Sequence, residues 1–313
     1  RQSRPMLFPC RLLRALTGPL LLAAGLACAQ PAADTASPTL RKIRDTGLIT
    51  LGYRDGSVPF SYLDAKRRPV GYSMDLCRRV VDAVRQRLRL PDLEVRQMLV
   101  SSATRFPLIA NGTVDLECGV TTNTAERQKL VAFSYTTFVA SSRLLVRVDS
   151  PIATVEDLRG QPVASTLATT SIQFLHSLNR SRGLEMKILA GLDDVEGLRM
   201  VLTGRAVAYA MDDVLLYSMK ATHAESERLR VAPLALTTEP YALVMRRGDP
   251  EFKALVDGVL AGLFRSGEIE QVYDRWFDRA IEPHGIQLKM PMSDALRKVI
   301  RQPTDTPDPA AYQ

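Results

Sequence analysis

Apolar residues recur along the chain with two alternating periods. Leu48–Tyr53 (LITLGY) is a short apolar run of the kind buried in a sheet. Residues 72–90 then carry Leu76, Val80, Val84 and Leu88 at helical spacing. The same alternation continues with strand-like residues 94–100, a short helix over 103–110, a strand over 114–119 and a helix over 124–131. A long extended run, 138–148, leads into a second set. That set predicts strand Pro162–Thr166, helix 170–179, strand 186–189, helix Asp194–Leu202, strand 206–211 and helix 214–222. Strands at 229–232 and 241–246 precede a helical stretch over 250–277. Strands alternating with helices predict an α/β fold with parallel sheets. The pattern runs through about three strand–helix units, crosses an extended segment, repeats and crosses back. Two lobes joined by two hinge strands satisfy it. Strand ends and helix N-termini of both lobes then face a common cleft, where open α/β sheets bind ligands.

The N-terminal pattern is different. A basic stretch over 1–14 is followed by thirteen almost wholly apolar residues, 15–27. They are too few for a bilayer span, which needs about 20. They end in Ala27-Cys28-Ala29, small residues of the signal-peptidase type. Residues 1–29 therefore read as a secretory signal, 30–38 as a linker and the Pro-rich residues 302–313 as a mobile tail. Cys28 after Gly25-Leu26-Ala27 also allows lipoprotein anchoring. No second segment has the length and apolarity to cross a membrane, so the expected product is soluble and periplasmic. The formal charge of +7 shrinks to +3 once the four arginines that precede Asp34, the first acid, are set aside. That leaves little basic footprint, and no nucleic-acid partner is expected. Cys77 and Cys118 remain beyond the signal, and spacing alone leaves open whether they are two thiols or a disulfide.

Catalytic and metal chemistry has little support. His176, His223 and His284 are scattered without ligand spacing, and no hydroxyl has a nearby His to act as base. No cofactor, metal or catalytic residue is expected. Ligand-type groups are better represented. In Thr121-Thr122-Asn123-Thr124-Ala125-Glu126-Arg127, Asn123 reads as a helix cap with Arg127 one turn inside, a combination suited to a carboxylate. Leu167-Ala168-Thr169-Thr170-Ser171 runs from a strand into a helix, where its hydroxyls could cap that helix or help to hold an anion. Arg54, Ser102, Arg105 and Asp212 all stand at strand ends or helix starts. Arg, Arg, Arg and Asp at cleft-facing positions suit a zwitterion with an extra negative charge.

Several segments together resemble one known family. They are Gly52-Tyr53-Arg54-Asp55-Gly56-Ser57-Val58-Pro59-Phe60, Gly71-Tyr72-Ser73-Met74-Asp75, Asn111-Gly112-Thr113-Val114-Asp115-Leu116-Glu117-Cys118-Gly119, the Thr121–Arg127 run, and Gly204-Arg205-Ala206 with Asp212-Asp213. From about residue 39 to 303 the chain resembles the periplasmic glutamate/aspartate-binding proteins of ABC transporters, within the family 3 solute-binding proteins. The resemblance implies a two-lobed periplasmic-binding-protein fold (type II), each lobe a mainly parallel sheet flanked by helices. Lobe one would span 39–139 plus 237–301, and lobe two 140–236. It further implies that Arg127, Thr122 and Thr170 hold an α-carboxylate, that Asp212 pairs with the ammonium, and that Arg54, Ser102 and Arg105 hold a side-chain carboxylate. The partners it implies are an amino acid and an inner-membrane permease, with the binding protein itself a monomer.

Three positions depart from that family pattern. Ser73 stands where an acid is usual, Val120 where a Ser precedes Thr-Thr, and Asp194 where a His assists the side-chain carboxylate. Two like charges about 4 Å apart cost roughly 4 kcal/mol at an effective dielectric near 20, roughly a thousandfold in affinity. Asp194 is therefore expected to pair with Arg54 or Arg105, to share a proton, or to accept from an amide ligand, unless neighbouring Asp193 faces the cleft instead. An acidic amino acid is the preferred ligand, with glutamine or asparagine as the alternative. The rival readings are a dehydratase-like enzyme on the same fold and a sensory or chemotaxis ligand-binding module.

Overall fold

The structure, a computed structural model, describes residues 36–313 apart from residue 284. The expected signal segment and residues 30–35 lie outside the described residues. The chain begins with α1 (Pro38–Thr46), β1 (Leu48–Tyr53), and a three-stranded ribbon of β2 (Gly56–Ser57), β3 (Ser61–Leu63) and β4 (Pro69–Val70). It continues through α2 (Tyr72–Leu88), β5 (Glu94–Leu99), α3 (Arg105–Ala110), β6 (Leu116–Glu117), α4 (Ala125–Gln128) and the long β7 (Val131–Arg147). Then come β8 (Pro162–Thr166), α5 (Thr170–Arg182), β9 (Lys187–Gly191), α6 (Asp194–Leu202), β10 (Ala208–Asp212), α7 (Asp213–Thr222) and β11 (Leu229–Val231). The return strand β12 (Thr237–Arg246) leads to α8 (Pro250–Ser266), α9 (Glu268–Phe277) and α10 (Asp294–Arg301).

Outside the ribbon, the strands form one nine-stranded sheet in the order β5-β1-β6-β12-β7-β10-β8-β9, with β11 beside β7. Within one lobe β1 runs parallel to β5 and β6. Within the other, β8 runs parallel to β9 and β10. The two parallel sets are joined by β7 and β12, which pair antiparallel from Thr237↔Ser142 to Arg246↔Val131. Two long strands shared by both lobes are what the expected hinge requires.

Helix α2 follows the predicted period, burying Leu76, Val80, Val84 and Leu88, and ends where Arg89 turns left-handed at φ 55°. The stretch expected as one helix over 250–277 is two, because Gly267 at φ 76° reverses the chain between α8 and α9. Helix α1 begins inside the expected linker, with Ser37 capping it and anchored to Asp249. Phe60, Tyr72, Phe138, Tyr241, Tyr273 and Phe277 pack as one aromatic cluster under the hinge, with Phe138 stacked on Phe277 at 5.2 Å. It fixes β7 through Phe138 and β12 through Tyr241. Cys77 and Cys118 form a disulfide that ties α2 to the end of β6.

The C terminus also differs from expectation. Residues 302–313 lie against the first lobe instead of hanging free. Thr136 N–H donates to the Thr304 carbonyl at 2.8 Å, and the buried Tyr312 hydroxyl meets Thr136 Oγ1 at 2.8 Å. Prolines stiffen the segment, and its one aromatic ring gives it something to bury.

Candidate functional site

Strand ends supply the first cations. Arg54 follows β1, and its Nη1 donates to Ser102 Oγ, just after β5, at 3.2 Å. Arg105 opens α3 and donates from Nη1 to Thr121 Oγ1 at 2.7 Å and to the Val120 carbonyl at 3.2 Å. Thr121 in turn donates to Glu117 Oε2 at 2.8 Å. Arg127, in the single turn of α4, donates from Nη1 to the Thr122 carbonyl at 2.9 Å and from Nη2 to the Ala168 carbonyl of the other lobe at 3.4 Å. The guanidiniums of Arg105 and Arg127 both stand over the Phe106 ring, 5.0 and 5.3 Å from its centroid.

These three arginine residues are only 8, 3 and 6% exposed, yet among the described residues none lies within ion-pair distance of a carboxylate. Burial, with Arg127 and Arg54 close by, pushes the Arg105 pKa down to about 9, and burial lowers that of Arg127 as well. Three desolvated cations held only by neutral acceptors are costly until an anion joins them.

The second lobe opposes them with acids and hydroxyls. Asp212 ends β10 and is 5% exposed. Its Oδ2 accepts from the Tyr241 hydroxyl, while its buried Oδ1 has no partner among the described residues. Burial and then Glu239 raise its pKa well above the ordinary 3.8. Thr169 caps α5 through Ile172 N–H, and Thr170 Oγ1 donates to Glu239 Oε2 at 2.8 Å.

Asp194 opens α6, and its Oδ1 accepts from Thr166 Oγ1 at 2.6 Å and Tyr209 Oη at 3.0 Å. The expected pairing with Arg54 or Arg105 is absent among the described residues; two hydroxyls from its own lobe hold it. Gly197 permits this, since a Cβ there would stand 2.2 Å from the Tyr209 ring. Asp193 is the exposed cap of α6 and does not line the cavity.

Arg54, Ser102, Arg105, Val120, Thr122, Arg127, Thr170, Asp194 and Asp212 all line one cavity enclosing about 320 Å³ of empty space, solvent at its mouth included. Thr169, Met211 and Leu215 also line it and escaped the sequence reading as wall residues. Met211 and Leu215 flank Asp212 at one residue and nearly one turn, so helical spacing from Asp212 could have found Leu215. Glu117, Glu239 and Tyr241 act from behind the wall, and no local pattern marks them.

One local reading needs correction. Asn123 does not cap α4; Thr124 does, accepting from Arg127 N–H at 3.2 Å. The Asn123 amide instead donates to the Asp305 carbonyl at 2.8 Å and accepts from Gln128 Nε2 at 3.0 Å.

Residues 49–279 match the family described as bacterial extracellular solute-binding proteins, family 3. The chain is 44% identical over 91% of its length to an L-glutamate/L-aspartate-binding protein of Pseudomonas aeruginosa, covering 94% of that protein. It is 40% identical, over 91% of its length and 95% of the relative, to a glutamate/aspartate import solute-binding protein of Escherichia coli. Among solved structures, an ancestral amino acid-binding protein, a precursor of cyclohexadienyl dehydratase, superposes with a TM-score of 0.66 at 26% identity. That alignment covers 77% of this chain and all of that one.

Proposed function

Because the chain belongs to the bacterial extracellular solute-binding proteins of family 3, we propose that it captures glutamate or aspartate and delivers it to the permease of an ABC transporter. One observation carries this reading. Three buried arginines without carboxylate partners face Asp212, a buried acid with an unpartnered oxygen, across one small cavity. Two carboxylates and one ammonium on a short chain match that set of charges. The names of the Pseudomonas and Escherichia relatives support the choice.

The α-carboxylate takes Arg127, the Thr122 region and Thr170, and the ammonium takes Asp212 Oδ1. The side-chain carboxylate takes Arg54, Arg105 and Ser102. Each guanidinium offers a planar fork to a carboxylate. Lobe one, 39–139 with 237–301, receives the amino acid first, and lobe two, 140–236, closes over it about β7 and β12. Closure is favoured because the ligand meets Asp212 and Thr170 only in the closed form. The site binds and releases its ligand unchanged, so no turnover is expected. Residues 1–29 direct export to the periplasm, consistent with a described chain in which no helix is long and apolar enough to cross a membrane.

The test is calorimetric titration of ligand-stripped protein with L-glutamate, L-aspartate, L-glutamine and L-asparagine. Dissociation constants near micromolar, about −8 kcal/mol, are expected for the two acids alone. Binding of the amides alone would replace the acidic ligand with a neutral one. Silence from all four would remove both.

A further inference from the structure

We infer that residues 304–312 form a strap that positions Arg127, and so takes part in ligand binding without touching the cavity. The segment lies beyond the family match, which ends at residue 279. Its contacts converge on the stretch that holds Arg127. The Asp305 carbonyl accepts from Asn123 Nδ2 at 2.8 Å and from Gln128 Nε2 at 3.1 Å. Asn123 and Gln128 are also bonded to each other, so one carbonyl of the strap closes a three-membered polar cluster.

Asn123 lies between the two residues that clamp Arg127. Thr122 gives its carbonyl to the Arg127 guanidinium, and Thr124 gives its hydroxyl to the Arg127 backbone. Asn123 N–H donates to the Pro240 carbonyl on β12, so the stretch is pinned to the hinge strand on one side and the strap on the other. With only four residues, α4 has too few internal hydrogen bonds to hold its geometry alone.

The strap is itself well anchored. Thr136 N–H bonds the Thr304 carbonyl, Lys253 pairs with Asp305 at 2.9 Å, and Lys298 Nζ donates to the Ala311 carbonyl at 3.0 Å. The Tyr312 hydroxyl, on a ring 3% exposed, joins Thr136 Oγ1 and the Thr306 carbonyl, each at 2.8 Å. Asn123 and Thr136 are 1% and 0% exposed with the strap in place, so the amide and hydroxyl that meet it would open to water, and lose these fixed partners, without it.

The experiment compares the full chain with a chain ending at Pro303, with Asn123→Ala and with Tyr312→Phe. Amide hydrogen exchange of the unliganded proteins is the first readout. Truncation should speed exchange over 122–128 about tenfold or more while β1 and α2 keep their protection. The second readout, which alone rests on the amino-acid-binding reading, is the dissociation constant for the tightest of the four titrated amino acids. It should rise about tenfold on truncation, and Asn123→Ala should add little in the truncated chain, because both changes remove the same contact.

A purely structural role would lower the unfolding temperature and leave local exchange and the dissociation constant of the folded protein unchanged, overturning the inference. Additive effects of truncation and Asn123→Ala would overturn it too. If the truncated chain does not fold, Tyr312→Phe keeps the ring and removes only the hydroxyl's bonds. Unchanged exchange over 122–128 in that variant would sink the strap. Failure of the full chain to bind any of the four would remove the proposed ligand, and exchange alone would then decide.

Discussion

Thr166 Oγ1 donates to Asp194 Oδ1 at 2.6 Å, so this acid of the cavity wall is already committed within its own lobe. Tyr209 supplies a second donor at 3.0 Å. Hydrogen bonds to a charged acceptor are worth about 1.5–3 kcal/mol each, comparable with the roughly 4 kcal/mol repulsion between like charges at close range. Removing both donors with Thr166→Val and Tyr209→Phe should release Asp194 toward the ligand. We expect the ratio of glutamate to glutamine affinity to fall about tenfold, measured by competition calorimetry. An unchanged ratio would show that Asp194 does not sense the ligand side chain.

Arg127 and Arg54 should fail differently. Truncating one member of a desolvated charge pair costs about 2–5 kcal/mol, so Arg127→Ala should weaken every amino acid at least about thirtyfold. Arg54→Ala should weaken the acids by a similar factor and the amides far less. Titration of both variants with all four amino acids checks the split, and equal losses across the panel for Arg54→Ala would contradict the assignment.

Binding should weaken on acidification because of Asp212. Its pKa stands well above 3.8 in the empty site, raised by burial and Glu239. A raised carboxyl pKa penalises the empty fold above that pKa, and the penalty is relieved as pH falls through it. An ammonium favours the ionised form, so affinity is full above the raised pKa and is lost as pH falls through it, before the ordinary carboxylate range is reached. The amino acid should therefore release protons on binding, seen as a buffer-dependent enthalpy. Asp212→Asn should lose most of this dependence and bind about ten- to a hundredfold more weakly.

The disulfide should matter to the fold and to one wall of the site. Cys77 and Cys118 are 41 residues apart, and closing a loop of that size stabilises by about 4 kcal/mol in the chain-entropy account. Cys118 is two residues before Val120, whose carbonyl holds Arg105. Chemical denaturation of the Cys77→Ser, Cys118→Ser double variant should show an unfolding free energy lower by about that amount. An unchanged midpoint would assign the bond no stabilising role.

Much of the site was legible because its residues stand at punctuation marks. Arg54, Ser102, Arg105 and Asp212 stand at strand ends or helix starts, where the alternation of strands and helices points to a cleft, whereas Val120 and Asp194 are marked by the family resemblance. The local sequence of Asn123 suits a helix cap equally well. The choice was made by a carbonyl from residue 305, which no window around Asn123 contains. The tail differs from expectation for the same reason: composition reports its stiffness and polarity, whereas its order comes from Thr136 and Lys253, far away in the chain.

The sequence by itself determined the alternation of strands and helices, the hinge crossings and the positions of the charges, all of which depend on near neighbours and on period. Only the tertiary structure decided that Cys77 meets Cys118, that Asp194 is tied to Thr166 and Tyr209, and that Tyr241 reaches Asp212 across the hinge. Those pairings depend on which surfaces pack together when the core closes. Packing is a property of the whole chain, and no local pattern of residues carries it.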